Sequence, residues 1–399
     1  MKLAIVTFNF DSGRHSGVNR VVSELHQMLK ELIHAEIDIV SFYNDSKNVN
    51  SISLLRPKIF HTTLVKEDGW FQNSKIIRIG SIGSELEVLR YRKRVELKDY
   101  FERYSVIFVV TGIMQFANVI PNLQIPVFVQ CATRLKWERK SQYPSMSRFK
   151  RLILKMQLPI LANQEYRVLK SGSIILVENS RMNEWIESKG FIKHEIWYPA
   201  VKVLSKDSKL KYSPSINGHF VSVGRLNDAR KGWKRLFLAY KEAYDSNPQI
   251  PSLVVVGGGE FSDKVQEIVD ELVGSYPINI MRNASDFDRD RVLTSSSYFL
   301  QASYEEGLGL AALEALSFGV PLICSETDGS REYVLDGKSG KLVRQGKRFI
   351  QEFSEAILSS QSWNYKYLHT SSKEIFASKF SYEVSLQQLH EILKKNGIY

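Results

Sequence analysis

The chain has 399 residues and a formal net charge of +11. A chain of this length exceeds what one hydrophobic core usually supports, so we expect two domains, and because no stretch approaches about 18 uncharged apolar residues we expect no transmembrane helix. The two cysteines, Cys131 and Cys324, lie far apart in apolar surroundings, which favours reduced thiols and a cytoplasmic protein over a disulfide-linked secreted one.

Apolar, strand-like runs alternate with helical segments along the whole chain, which indicates an α/β fold whose parallel sheets are covered by helices on both faces. In the first half, strands are predicted at residues 3–8, 36–42, 106–111, 127–130 and 173–177. In the second half, they are predicted at residues 219–223, 253–256, 278–281, 298–301 and 321–324. The first run is interpreted as a strand and not as a signal peptide. The polar, lysine-rich residues 201–217 are interpreted as a linker between the halves.

The segment from Arg134 to Lys155 is strongly basic, with eight lysines and arginines against one acidic residue, Glu138. Aromatic and aliphatic side chains are interleaved with these cations. Such a segment fits an anionic membrane surface, and a solvated basic helix face is the alternative. Nucleic acid is disfavoured as a partner because the chain shows no nucleic-acid-binding motif.

A short apolar strand ends in Gly224 and Arg225, and the polar loop after it ends in Lys231 and Gly232, where a helix begins. Arg225 and Lys231 therefore stand at the two edges of one loop. They could grip a diphosphate from two sides, since arginine offers a planar fork and lysine a mobile point charge. The alternative is a solvated basic loop.

The stretch from Glu306 to Glu314 lies between a predicted strand and a predicted helix. Gly307 and Gly309 let the backbone approach a ligand without an intervening Cβ, and the helix start offers unpaired N–H groups. Glu314 can accept two hydrogen bonds from vicinal hydroxyls, such as those of a ribose. These features predict a ligand that contains both phosphate and sugar. The alternative is that Glu306 caps the helix and Glu314 is solvated.

These segments resemble the motifs of the retaining GT-B glycosyltransferases of family 4. That family carries G-R-L…K-G, then V-V-G-x-G, then E-G-F-G-L…L-E-A, then G-x-P-V-I. The corresponding residues here are Gly224-Arg225-Leu226…Lys231-Gly232, Val256-Gly257-Gly258-Gly259, Glu306-Gly307-Leu308-Gly309-Leu310…Leu313-Glu314-Ala315 and Gly319-Val320-Pro321-Leu322-Ile323. The match runs over roughly residues 218–345, and several ordered motifs are far more specific than any single one.

The resemblance implies a GT-B fold, in which two Rossmann-like, doubly wound parallel-sheet domains face each other across a cleft. The acceptor-binding domain would span residues 1–199 and the donor-binding domain residues 200–379. The last helix, about residues 380–399, would pack back on the first domain. The substrate implied is a nucleoside diphosphate sugar, with no cofactor and no metal.

The resemblance also implies roles for individual residues. Arg225 and Lys231 would hold the donor diphosphate, and with Glu306 they would form the catalytic set. Glu314 would bind the ribose hydroxyls. The complete implied donor-binding set is Gly17, Arg225, Lys231, Gly259, Arg282, Glu306, Gly307, Leu308, Gly309, Leu310 and Glu314.

Two positions depart from the family pattern. The N-terminal loop, often two glycines, is here Ser16 and Gly17, so Gly17 is the candidate for close approach to phosphate or sugar. Many members carry a histidine after the strand that ends near Gln130, whereas this chain continues with Cys131-Ala132-Thr133. Gln130 and Thr133 are candidates for its role, and an ordinary strand end is the alternative.

Asp286, Asp288 and Asp290 form the D-x-D pattern twice, which in a different glycosyltransferase fold binds a metal with the diphosphate. We interpret these residues as helix-capping groups before a helix that starts at Arg291. A metal requirement is therefore not expected.

The resemblance favours a sugar transfer with retention of configuration, to a lipid-linked saccharide at the inner membrane face, for surface polysaccharide or glycan assembly. Three other functions are compatible with the sequence: a nucleotide-sugar epimerase, a non-catalytic membrane-associated scaffold and a DNA-modifying sugar transferase. The donor sugar, the base and the acceptor are not identified by any side chain of the sequence.

Overall fold

The computed structural model describes residues 1–11, 16–45, 48, 51–54, 66–143, 146–201 and 216–398. These residues form two compact units, one made of Met1–Ala200 with Ser385–Tyr399 and the other of Val201–Val384. Each unit has its own hydrophobic core. Most of the predicted linker, residues 202–215, lies outside the described residues.

The first unit is built on a sheet of eight described strands in the order β3-β4-β2-β1-β5-β6-β7-β8. The strands and helices of this part of the chain are β1 (Lys2–Phe8), α1 (Gly17–Ile33), β2 (Glu36–Phe42), β3 (Lys66–Phe71), β4 (Ser74–Ile79), α2 (Glu87–Arg90), α3 (Lys98–Phe101), β5 (Val106–Ile113), β6 (Val127–Thr133), α4 (Leu135–Gln142), α5 (Arg148–Lys170), β7 (Ile174–Val177), α6 (Ser180–Glu187) and β8 (His194–Ile196). Strand β3 pairs antiparallel with β4, and the other described pairings are parallel.

The second unit is built on a parallel sheet of six described strands in the order β11-β10-β9-β12-β13-β14. Its elements are β9 (Phe220–Val223), α7 (Trp233–Ser246), β10 (Leu253–Gly257), α8 (Asp263–Leu272), β11 (Ile278–Arg282), α9 (Asp286–Thr294), β12 (Tyr298–Gln301), α10 (Leu310–Ser317), β13 (Leu322–Ser325), β14 (Gly340–Val343), α11 (Phe349–Ser359) and α12 (Tyr365–Lys379), followed by α13 (Tyr382–Lys395). The buried strands β9, β10, β12 and β13 are mostly apolar because helices cover both faces of a parallel sheet.

The predicted strands are confirmed in all ten places, and their ends agree within three residues. Strands β3, β4, β8 and β14 were not predicted. Strand β3 is an edge strand whose first three residues are charged, so it lacks an apolar pattern. Its hairpin turn to β4 is formed by Gln72 and Asn73, both with positive φ, which matches the twist of two-residue hairpins.

Helix α13 contributes its C-terminal part to the first unit. The Ser385 hydroxyl donates to the carbonyl oxygen of Tyr198 at 2.6 Å, and the Trp197 indole N–H donates to the carbonyl oxygen of Ser385 at 3.2 Å. Leu389 and Leu393 of the same helix are fully buried. The first unit is therefore completed by the end of the chain. Among the described helices, none combines the length and apolarity needed to cross a membrane.

Candidate functional site

The candidate site of the second unit lies at the carboxyl ends of two adjacent strands. Strands β9 and β12 pair with each other, while the chain continues from β9 to β10 on one side and from β12 to β13 on the other. Doubly wound folds bind ligands at such a reversal because the two loops diverge and leave a crevice. The loops after β9 and β12 contain Arg225, Lys231 and Glu306, so the topology brings these predicted residues together.

Lys231 and Glu306 are in direct contact. The Lys231 Nζ lies 2.7 Å from the Glu306 Oε1, and the two side chains are only 18% and 11% exposed. The same oxygen accepts hydrogen bonds from the Ser303 hydroxyl at 2.6 Å and from the Gln301 side-chain amide at 3.1 Å. Glu306 does not cap α10, whose N-cap residue is Gly309. Its side chain is instead fixed by Ser303 and Gln301 and forms an ion pair with Lys231, the candidate phosphate-binding residue.

Arg225 presents its guanidinium to solvent, with 54% of the side chain exposed. Its Nη2 lies 2.5 Å from the Oδ2 of Asp228, which also accepts from the Nη2 of Arg230 at 2.8 Å. The Trp233 indole N–H donates to the Arg225 carbonyl oxygen at 3.0 Å and fixes the start of the loop. The backbone at Arg225 is thus held while its cation is exposed to solvent.

Asp228 is the carboxylate that organises this basic loop, and its pKa is held well below the ordinary value. Burial alone would raise the pKa, but hydrogen bonds and charge from Arg230, with the charges of Arg225 and Lys231, outweigh burial. The folded protein therefore keeps Asp228 ionised to a lower pH than the unfolded chain does.

The free energy of unfolding should consequently fall in acid, as the contribution of Asp228 is lost. Its contribution is complete above the unfolded pKa of about 3.9 and is lost as the pH falls further, because the unfolded state then binds the proton first. The variant Asp228→Asn should be less stable than the wild type at pH 7, and the gap should shrink towards about pH 3. Urea unfolding at both pH values measures this gap, and a pH-independent gap would contradict the assignment.

The turn before α10 approaches the core closely at Gly309. Gly309 has φ +91°, and a Cβ there would lie 2.6 Å from the Tyr333 Oη. Tyr333 is fully buried, and its hydroxyl has no hydrogen-bond partner among the described residues. Burial, with Cys324 and Glu306 nearby, raises the pKa of Tyr333 well above its ordinary value, so the phenol stays neutral. Leu308 is buried, while Gly307 and Leu310 are half-buried at the same turn.

Glu314 is buried in α10 and is not a solvated helix residue. Its side chain is 5% exposed, and its Oε2 lies 3.7 Å from the Nε of Arg289. Arg289 also contacts Asp286 and Asp290 of its own helix, at 2.7 and 2.8 Å. Glu314 thus has a cationic neighbour at this depth, as a buried carboxyl group requires if it carries charge. Its role towards a ribose stays a prediction.

Two further predicted residues of the second unit, Arg282 and Gly259, lie at the ends of the neighbouring strands β11 and β10. Arg282, at the end of β11, donates to Glu260 and to the Gln266 Oε1, the latter at 3.0 Å. Gly259 follows β10, and a Cβ there would lie 3.2 Å from the Cγ of Asn227 in the loop after β9. Arg282 is thus already engaged by neighbours, whereas Gly259 adjoins the loop that carries Arg225.

Gly17 belongs to the first unit, where it is the first residue of α1. The Ser16 hydroxyl accepts from the backbone N–H of Asn19 at 3.1 Å and caps this helix, so the serine that replaces the family's first glycine has a structural role. Residues 12–15 lie outside the described residues. Gln130 of β6, a candidate for the role of the family's histidine, also has a partner within the unit, since its side-chain amide donates to Glu178.

The predicted start of the helix at Arg291 is wrong, because α9 begins at Asp286 and Ser285 is its N-cap. Asp286 and Asp288 therefore lie inside the first turn, where negative charge complements the helix dipole. The Ser285 hydroxyl accepts from the Asp288 backbone N–H at 3.1 Å. In the described part of the chain, no three or more His, Cys, Asp or Glu side chains are grouped to hold a metal ion.

Comparison with solved structures identifies the class of fold. The chain is similar over 99% of its length to the lipopolysaccharide outer core galactosyltransferase WaaB, covering 100% of that protein with a TM-score of 0.67 and 17% identity. It is also similar over 98% of its length to HepE of Anabaena, solved with UDP and glucose, covering 99% of that protein with a TM-score of 0.63 and 14% identity. With the two parallel sheets, these similarities confirm the predicted GT-B fold.

Residues 209–364 match the family model described as glycosyl transferases group 1. A D-inositol 3-phosphate glycosyltransferase of Corynebacterium jeikeium is 28% identical over 43% of this chain and 42% of that protein. The capsular polysaccharide biosynthesis glycosyltransferase CapM of Staphylococcus aureus is 25% identical over 46% of this chain and 48% of that protein. The chain thus matches less than half of the length of these relatives. The matched region and the fold together support the superfamily of group 1 glycosyltransferases.

Proposed function

We propose that the protein is a retaining glycosyltransferase that moves a sugar from a nucleoside diphosphate sugar to an acceptor hydroxyl. The observation that carries this proposal is the partly buried Lys231–Glu306 pair, 2.7 Å apart at the carboxyl ends of β9 and β12. A cation beside a helix N-terminus suits a diphosphate, and a carboxylate beside it suits sugar hydroxyls. The match of residues 209–364 to the group 1 family model supports the same conclusion.

Arg225 and Lys231 would bind the two phosphates of the donor. Both cations are paired with carboxylates, Asp228 and Glu306, so each is held in place before the donor arrives. Lysine can bridge a carboxylate and a phosphate because its ammonium has three donors. Glu306 and the first amides of α10 would then bind the sugar, and Glu314 the ribose.

The transfer needs no strong side-chain base in this scheme. The acceptor hydroxyl attacks the anomeric carbon on the face from which the diphosphate leaves, the bond to the diphosphate breaks, and the leaving phosphate oxygen takes the acceptor proton. The protein then contributes positioning and stabilisation of the leaving charge. Lys231 and Arg225 carry that stabilisation.

The acceptor we propose is a lipid-linked saccharide used to assemble a surface polysaccharide or glycan. Support comes from what the similar proteins are named for: one acts in capsular polysaccharide biosynthesis and another in the lipopolysaccharide outer core. HepE was solved with UDP and glucose, which supports a UDP-sugar as the first donor to test.

Binding of the nucleotide tests the proposal directly. UDP or GDP, with or without a sugar, should raise the melting temperature of the full chain, since a ligand at 100 times its dissociation constant adds about 2.7 kcal/mol. The shift should persist in excess chelator, because the cations of the site are side chains. Lack of a shift with every nucleotide would contradict the proposal, and loss of the shift in chelator would contradict metal independence.

A further inference from the structure

Helix α5 carries an apolar stripe that is exposed to solvent. Phe149, Leu152, Met156 and Ile160 are 74%, 57%, 71% and 54% exposed. Their spacing of three, four and four residues places them on one face of the helix, over about 17 Å of its length. We call these four residues the α5 stripe. Single exposed apolar residues are common, but a continuous stripe indicates an interaction surface.

A different face of α5 packs into the first unit. Gln157, Leu161, Gln164 and Val168 are all buried there. The Gln164 side-chain amide donates to the Val88 carbonyl oxygen at 2.8 Å. The helix is therefore anchored by one face, and the α5 stripe is not needed to hold it in place.

The cations of the predicted basic segment divide into two sets. Arg134 and Arg139 are used inside the unit, where Arg134 lies 2.7 Å from Glu165 and Arg139 contacts Glu87. Both arginine side chains are less than one-sixth exposed. Arg134 and Arg139 thus supply structural ion pairs, whereas Lys136 and Lys140 between and beside them are exposed.

The cations at the start of α5 are exposed and border the stripe. Arg148 lies four residues before Leu152, and Lys155 lies three residues after it, so both flank the stripe on the helix surface. Arg148 and Lys150 stand in the first turn, where positive charge opposes the helix dipole. These cations do not stabilise their own helix, so their placement fits an external anionic partner.

We propose that the α5 stripe and its flanking cations dock the protein on an anionic lipid bilayer. Apolar side chains would enter the acyl boundary while the cations bind lipid phosphates, as in interfacial amphipathic helices. A second copy of the chain is a poorer partner. Glu165 is the sole carboxylate among residues 148–170 and is bound to Arg134, so two stripes would set cations against cations. The proposed surface does not depend on the proposed reaction.

Flotation of the full chain with lipid vesicles tests this surface. Vesicles of phosphatidylcholine with phosphatidylglycerol should bind the wild type, vesicles of phosphatidylcholine alone should bind it far less, and salt should release it. The double variant Phe149→Ser/Met156→Ser should bind these vesicles at least about tenfold less tightly than the wild type does. The double variant Arg148→Gln/Lys155→Gln should bind about 30-fold less, since each cation near an anionic surface contributes about 1 kcal/mol to binding.

Ile192→Ser is the matched control, because Ile192 is 90% exposed in the same unit but lies outside α5. It should bind vesicles like the wild type. All variants should keep the wild-type melting temperature and any nucleotide-induced shift, which separates this surface from the sugar-transfer proposal. If the serine variant fails to fold, the charge variant decides alone.

Three results would overturn the proposal. The wild type could fail to bind the anionic vesicles at low salt, or either double variant could bind them as well as the wild type does. The wild type could also fail to bind vesicles and sediment as a dimer, with the serine variant sedimenting as a monomer. That result would assign the α5 stripe to self-association.

Discussion

Replacing Lys231 by alanine should lower kcat by about 10²–10³, the scale for losing one donor to a developing oxyanion. The Lys231 side chain is 18% exposed and its ammonium lies 2.7 Å from Glu306, so its charge acts in partly desolvated surroundings, where electrostatic interactions are stronger than in water. The leaving diphosphate would lose this cation at the moment its charge grows. Steady-state kinetics with the donor identified by thermal shift measures the loss.

Lys241→Ala is the matched control, since Lys241 lies on α7 and pairs with Asp245 on the helix surface. It should keep wild-type kcat. Arg225→Ala should fall in the same range as Lys231→Ala, because Arg225 is the second cation proposed to hold the diphosphate. Near-normal turnover by Lys231→Ala, in a protein that still melts like the wild type, would remove Lys231 from the mechanism.

Replacing Gly232 by alanine should destabilise the protein by about 2–5 kcal/mol, from a strained backbone together with overpacking. Gly232 has φ +67°, and a Cβ there would lie 2.0 Å from the carbonyl oxygen of Ala302. The two loops of the site touch at this point, since the Tyr304 N–H donates to the Arg230 carbonyl oxygen at 2.7 Å. The new methyl group would push apart the loops that join Lys231 to Glu306.

Gly337→Ala separates strain from collision. Gly337 has φ +75°, but no described atom lies within 4 Å of the Cβ it would gain. It should therefore lose only about 1–2 kcal/mol, the cost of a left-handed residue. Urea unfolding of both variants gives the difference, and equal losses would mean that the contact with Ala302 relaxes without cost. Gly232→Ala should also lose nucleotide binding, whereas Gly337→Ala should keep it.

The sequence was sufficient for the architecture, whereas the roles of the predicted site residues stay predictions. Alternating apolar runs located the buried parallel strands, because such strands are apolar on both faces. The edge strand β3 was missed since Glu67 and Asp68 are exposed and its pairing depends on a hairpin turn at Gln72 and Asn73. The start of α9 was placed too late because the aspartates looked like caps, whereas Ser285 is the cap.

The contacts of the site were beyond the reach of sequence patterns. Lys231 and Glu306 are 75 positions apart, and no local spacing predicts that they pair. Ser303 and Gln301 hold Glu306, yet a serine and a glutamine at a strand end are ordinary residues. Tyr333 approaches Gly309 only through the tertiary fold. Ser303 and Gln301 were not predicted as site residues. Their position at a strand end, next to a motif glutamate, is the one signal in the sequence that could have identified them.

The burial of α13 in the first unit has a consequence for how the chain is made. Val201–Val384 contains a whole sheet and its helices, and it lies in the chain between the two stretches that form the first unit. Most of the first unit is synthesised earlier, but Trp197 and Tyr198 form their hydrogen bonds with Ser385, which is synthesised almost two hundred residues later. Domains usually complete folding in the order of synthesis. Here the unit that begins first along the chain becomes complete only after residues 385–399 have been made, so the hydrogen bonds of Trp197 and Tyr198 depend on a segment that follows the whole second unit.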